Sequence, residues 1–142
     1  MRPNKTIGGV NKNGVGWRLI PKNKWFNVSV HKFTKSDDAK ILHNHQYRTM
    51  SIILKGILHE YWLKYEPWKM KQRCPFIYER NPGDVIFRSK DIFHSLVLKT
   101  PVVWTLFITG RDRGQWHFLV DNRLIESNDY IQRQEKMASA KD

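Results

Sequence analysis

Between residues 15 and 120 the chain is written in short runs rich in Val, Ile, Phe, Trp and Thr, each closed by a cluster of Gly, Pro, Asn or Asp. β-Branched and aromatic side chains fit a pleated, half-buried surface and the punctuating residues fit turns, so the pattern is that of strands joined by tight connections. The runs fall at 16–20, 25–33, 39–45, 50–56, 58–65, 75–80, 84–88, 92–98, 102–108 and 115–120. Turn signals at this spacing predict a sandwich or barrel and argue against alternating strands and helices. "NPGD" at 81–84 shows the turn chemistry: Pro82 presets φ, and Gly83 takes the positive φ that other residues resist. The glycine-rich stretch at 7–16 lacks the Gly-Lys-Ser/Thr ending of a phosphate-binding loop and reads as a loop. The one helical stretch is "SNDYIQRQEKMASA", 127–140, with Asp129 as N-cap and Gln132 three residues on.

The expected organisation is one domain over residues 1–142, with a β core at about 16–120 and a helical segment at 121–142. A chain of this length buries roughly 68–70% of its unfolded surface, enough for a core without disulfides. Cys74 is the single cysteine and has no partner in the chain. The opening "MRPNKTIGG" has no apolar middle region of a secretory signal, and no apolar run approaches the ~20 residues of a spanning helix. These features predict a soluble, cytoplasmic protein without membrane contact.

Formal net charge is +12, from 25 Lys plus Arg against 13 Asp plus Glu. Residues 1–120 hold 21 of the basic and 8 of the acidic side chains, so the excess belongs to the β region and not to a tail. Such a field favours acidic partners: a small anionic molecule, a nucleotide, or nucleic acid.

His43-Asn44-His45 opens the search for chemistry. Side chains two apart on a strand share one face, roughly 6.6–6.8 Å apart along the chain, whereas on a helix they diverge. Tilted imidazoles on such a face bring two nitrogens to ~2.0–2.1 Å from one ion. Six histidines in 142 residues generate the pattern by chance roughly one time in four, so the pair needs companions. His94 supplies one, on the strand "DIFHSLVL", where it shares a face with Ile92, Leu96 and Leu98. His31, His59 and His117 read as packing or surface residues.

His43, His45 and Gly56, followed by Gly83 and His94, match in order and spacing the two motifs of the cupin superfamily, G(X)5HXH(X)3,4E(X)6G and G(X)5PXG(X)2H(X)3N. Thr49 stands where the glutamate of the first motif would be, Ser89 and Asp91 replace the proline and glycine of the second, and Leu98 its asparagine. The chain also resembles small single-domain cupin-like proteins of bacteria and phages. Arg80, Pro82, Gly83, Arg88, His94, Thr105, Leu106, Gly110, Arg113, Trp116 and Phe118 agree with their pattern, while Gln46 and Tyr47 depart from its Pro-Trp. The resemblance implies an all-β, double-stranded β-helix (jelly-roll barrel) with a short C-terminal helix. It also implies a divalent metal held by His43, His45 and His94: Fe2+ by likeness to cupin-fold thiol dioxygenases, with Zn2+, Mn2+ and Ni2+ as the other candidates.

Arg48, Arg88 and Arg113 are the candidate anion holders, because guanidinium forks bind carboxylate and phosphate in pairs of hydrogen bonds. Arg88 stands out by lying six residues before His94. Tyr47 and Tyr61 are the aromatic candidates for a pocket wall; Tyr61 shares a strand face with His59, and Glu60 with Trp62, so at most one of those sets faces the pocket. Three functions follow: an oxygenase-like or metal-water enzyme acting on a small acidic substrate, a pocket holding an anionic nucleotide or sugar phosphate, or charge-driven nucleic-acid binding. A homodimer would cover exposed sheet edges.

Overall fold

The computed structural model describes residues 5–7, 13–21, 23–66, 74–111, 114–120 and 123–140. Twelve strands and one helix lie among them: β1 (Lys5–Ile7), β2 (Gly14–Arg18), β3 (Asn27–Phe33), β4 (Leu42–His43), β5 (Thr49–Lys55), β6 (Leu58–Lys64), β7 (Phe76–Arg80), β8 (Val85–Arg88), β9 (Ile92–Leu98), β10 (Val103–Thr109), β11 (His117–Val120), β12 (Arg123–Glu126) and α1 (Ser127–Ala140). The first sheet runs β1-β2-β3-β10-β5-β8 and the second β12-β11-β4-β9-β6-β7. All pairings are antiparallel. Strands β3 to β10 form two facing four-stranded sheets, the jelly-roll arrangement expected from the sequence, with β1–β2 and β11–β12 extending one sheet each.

Nine of the ten expected strands are present within two residues at either end. The run at 39–45 is the exception, because regular pairing in it is confined to Leu42–His43. Residues 123–126, placed by sequence in the helical segment, instead pair with β11. Asp129 lies in the first turn of α1 and is not its cap, since the helix begins at the buried Ser127. Gly14–Gly16, read as loop, belong to β2, and residues 8–12 of that stretch lie outside the described residues. Gly83 has φ of 93°, and the turn closes with the Asn81 N–H donating to Asp84 Oδ2 at 2.7 Å. At Gly56 (φ 88°) a Cβ would stand 2.4 Å from the Val102 carbonyl oxygen, so the motif glycine is needed for a close backbone approach as well as for its φ.

Residues directly opposite on neighbouring strands share a face, so the registers divide inside from outside. On the second sheet Trp62 lies opposite His94 and Glu60 opposite Leu96, all inward, while Leu63 lies opposite Phe93 and Tyr61 opposite Ser95, all outward. Two apolar clusters result. Ile53, Leu58, Ile86 and Val103 fill one end of the interior with Trp62, Leu96 and Leu98 against them. Leu42, Leu63, Phe93 and Leu119 pack on the outer face of the second sheet with Tyr61 and Tyr65. Each buried leucine contributes about 1.5–3 kcal/mol of transfer free energy. Among the described residues no helix is long and apolar enough to cross a membrane.

Candidate metal centre

His43 ends β4 and lies directly opposite His94 on β9, and His45 follows two residues later. Asn44 holds this segment extended. Its buried side chain donates from Nδ2 to the Lys90 carbonyl at 2.8 Å and accepts from the His117 N–H at 2.6 Å, while its own N–H donates to the His117 carbonyl. With Asn44 fixed on one side, both histidines turn to the other. One ring nitrogen from each of His43, His45 and His94 lies within 4.8 Å of the others. His45 Nε2 and His94 Nε2 are 3.2 Å apart. Two nitrogens at ~2.0–2.1 Å from one ion stand roughly 2.9–3.4 Å apart at octahedral or tetrahedral angles, so this donor pair fits a shared metal.

Behind His94 lies a fully buried carboxylate. Glu60 Oε2 is 2.6 Å from His94 Nδ1 and accepts from Arg88 Nε at 2.6 Å, while Oε1 accepts from Arg80 Nε at 2.9 Å. Arg88 also donates from Nη1 to Ser51 Oγ at 2.8 Å, which ties the network to the first sheet. Burial pushes the Glu60 carboxyl upward, but the Arg88 charge and the hydrogen bond to His94 outweigh it and hold the group well below the usual carboxylate range. With its Nδ1 held by the ionised Glu60, His94 turns Nε2 toward His45, the carboxylate–histidine arrangement that orients metal-binding imidazoles.

The other two imidazoles, His43 and His45, are kept neutral by their surroundings. Burial lowers His43 well below its ordinary 6.5, and the neighbouring His94 and Arg88 lower it further against a smaller opposing pull from Glu60. His45 falls for the same first reason, followed by His43 and His94. Neutral imidazoles are the form that ligates metal. Aromatic rings enclose them: Phe107 and Tyr47 lie 5.6 and 6.1 Å from the His45 ring, and Trp116 and Phe118 lie 6.1 and 6.2 Å from His43. Tyr130 of α1 packs on Phe118 at 4.1 Å.

The remaining expected site residues divide. Tyr47 stacks beside His45. Tyr61 is a correction: strand alternation turns it to the outer face of the second sheet, where it packs on the Leu42–Phe93 cluster, and Glu60 and Trp62 occupy the inner face. Arg88, expected to hold an anion, is buried and engaged by Glu60 and Ser51. The Arg48 side chain is exposed and its carbonyl holds the Gly110 N–H at 2.8 Å. Arg113 lies outside the described residues. Thr49, in the place of the family glutamate, faces inward with a buried hydroxyl that has no hydrogen-bond partner among the described residues. The part played by Glu60, Arg80 and Asn44 was not foreseen. An acidic residue in the middle of an apolar strand was the available signal for Glu60.

No family model and no curated protein matches the chain. Solved structures do. Fe(II) HppE superposes with TM-score 0.57 at 17% identity, over 77% of this chain and 58% of that one. The DMSP lyase DddQ from Ruegeria pomeroyi DSS-3 gives 0.56 at 12%, over 85% and 59%. The Cnp3 cupin domain from Schizosaccharomyces pombe gives 0.54 at 10%, over 70% and 66%. The chain thus has the cupin fold, with a three-histidine cluster between its sheets. It spans about three fifths of the length of HppE and of DddQ.

Proposed function

We propose that this is a metal-dependent cupin-fold enzyme in which His43, His45 and His94 hold a divalent ion, Fe2+ first among Fe2+, Zn2+, Mn2+ and Ni2+, next to a small acidic substrate. The observation that carries the reading is the convergence of three ring nitrogens within 4.8 Å, one of them backed by a buried carboxylate. The cupin-fold likeness to Fe(II) HppE and to a DMSP lyase supports it. A divalent ion there supplies Lewis-acid or redox chemistry through the positions that three imidazoles leave open.

The chain's own groups do the rest. Glu60 fixes the tautomer and direction of His94, and the rings of Tyr47, Phe107 and Trp116 limit water around the ligands. Arg88 adds positive field from inside through its contact with Glu60. Arg48, Tyr47 and Arg113 are the groups proposed to orient the acidic group. The test is metal content of protein purified without chelator and reloaded with each ion in turn. Wild type is expected to hold about one ion per chain, and His43→Ala, His45→Ala and His94→Ala to lose it. Equal content in wild type and His94→Ala ends the proposal.

A second reading has its own observation. The cluster contains no carboxylate ligand among the described residues, because Thr49 replaces the family glutamate and Glu60 is engaged by His94, Arg80 and Arg88. The interior then serves as a metal-independent pocket for an anionic nucleotide or sugar phosphate. A thermal shift with such a ligand that survives His43→Ala selects this reading. At 100 times Kd the ligand would add ~2.7 kcal/mol.

A further inference from the structure

The first sheet turns polar side chains toward the interior at its histidine end. Along β10, Thr105, Phe107 and Thr109 face in and Leu106 and Ile108 face out, and the registers carry that division across the neighbouring strands. The last inward row reads Asn27, Thr109, Thr49 and Arg88 over four strands, and the row before it Ser29, Phe107, Ser51 and Ile86. Ser29, Thr49, Ser51 and Thr109 are buried. An antiparallel sheet ordinarily keeps apolar residues for its covered face, so a polar inner row calls for a use. Two atoms of that row, Asn27 Oδ1 and Thr49 Oγ1, are buried without a hydrogen-bond partner among the described residues. Buried polar atoms are nearly always paired, and an unpaired one weakens the fold until something binds to it.

The row adjoins the histidine cluster. His45 comes four residues before Thr49 in the chain, and the Phe107 ring, one inward position from Thr109, lies 5.6 Å from the His45 ring. At the other end of the row Arg88 reaches Glu60, which holds His94. A ligand beside the three imidazoles therefore has this row as its opposite wall. An amide oxygen only accepts, whereas a threonine hydroxyl both donates and accepts. An ionised carboxylate has no hydrogen to give Asn27 Oδ1; an alcohol serves both atoms. Thr109 stands between the two, so their backbones are two strand spacings apart, about 9.4–9.8 Å, which suits a carbon chain bearing several hydroxyls.

We infer that Asn27 and Thr49 are specificity residues that read the alcohol groups of a polyhydroxylated acid, a ligand of the sugar-acid class. The inference rests on the interior being the ligand site proposed above, and it adds hydroxyls to the small acidic substrate without using the metal. A pocket built to bond a hydroxyl rejects the analogue that lacks it, because its polar groups are then left unpaired. Ordered water in the row would pair the same atoms but would give no such discrimination.

Calorimetric titration with acids matched in carbon number and charge tests it: gluconate against hexanoate, and tartrate against succinate, up to about 20 mM, which reads Kd into the millimolar range. Each pair is run on the full chain as purified and again with EDTA, since hydroxy acids also chelate metal ions. Wild type is expected to bind the hydroxylated member of at least one pair about tenfold more tightly in both conditions. Thr49→Val and Asn27→Leu should each lower that ratio about threefold or more, as loss of one hydrogen bond does, with the metal content of wild type retained. Thr49→Val removes a hydroxyl that has no partner to lose, and it decides the matter if Asn27→Leu does not fold. No preference in either pair, a preference that disappears with EDTA, or one unchanged in Thr49→Val overturns the inference. A wild type that holds no metal yet keeps the preference ends the metal reading alone and supports the hydroxyl-reading wall.

Discussion

The two sheets look into one interior with different chemistry. From the first come Ser29, Thr49, Ser51, Thr105 and Thr109, small neutral buried groups. From the second come His43, Glu60 and His94, ionisable groups whose states depend on one another. Arg88, at the end of the first sheet, carries a charge across to Glu60 of the second. The contrast teaches that the second sheet's interior works only as a set, whereas the first sheet's interior can be edited one residue at a time.

The strongest way to break the set is Glu60→Ala, which leaves buried Arg88 without its counter-charge and is expected to cost about 3–5 kcal/mol in urea unfolding, as for other buried pairs deprived of one partner. Glu60→Gln keeps one acceptor and should lose less. Next comes pH, measured with chelator present. His43 and His45 have folded pKa values below the unfolded 6.5, so the unfolded chain binds more protons. Their contribution is complete above about pH 6.5 and declines as pH falls below it, by up to about 1.4 kcal/mol per pH unit for each imidazole. The measured slope should drop in His43→Ala. On the first sheet, Ser51→Ala removes one acceptor from Arg88 and should cost about 1 kcal/mol. Smallest of all, Thr49→Val deletes a buried hydroxyl with no partner among the described residues, and stability should stay within about 0.5 kcal/mol or rise. A loss as large as that of Glu60→Ala would erase the contrast between the sheets.

Much of this was legible in residue order. Turn residues fix where strands stop, so nine strand positions could be read directly, and the period of two placed His43 with His45 and Glu60 with Trp62. Three things were not legible. Which face of a strand is interior depends on its neighbours, and alternation alone assigns Leu106 and Thr105 to opposite sides without saying which is inside; the outward turn of Leu106 needed the β3–β10–β5 register. Arg88 was read as an anion holder because its partner Glu60 lies 28 residues away, and sequence distance hides such pairs. Strands β1 and β12 were missed because "KTI" and "RLIE" are too short to show a period, and only pairing with β2 and β11 extends them.

Strand β4 is joined to β9 by one register pair, His43 with His94, and the ring nitrogens of His45 and His94 that meet beside it are 49 residues apart in the chain. That seam has little backbone pairing of its own, and it closes only after the four strands between its halves have been laid down. Ordering three imidazoles there therefore waits on contacts that are distant in the chain, whose loop entropy must be met before they form. Anything gripping all three rings would then act as a latch on a joint that its own backbone pairs only once.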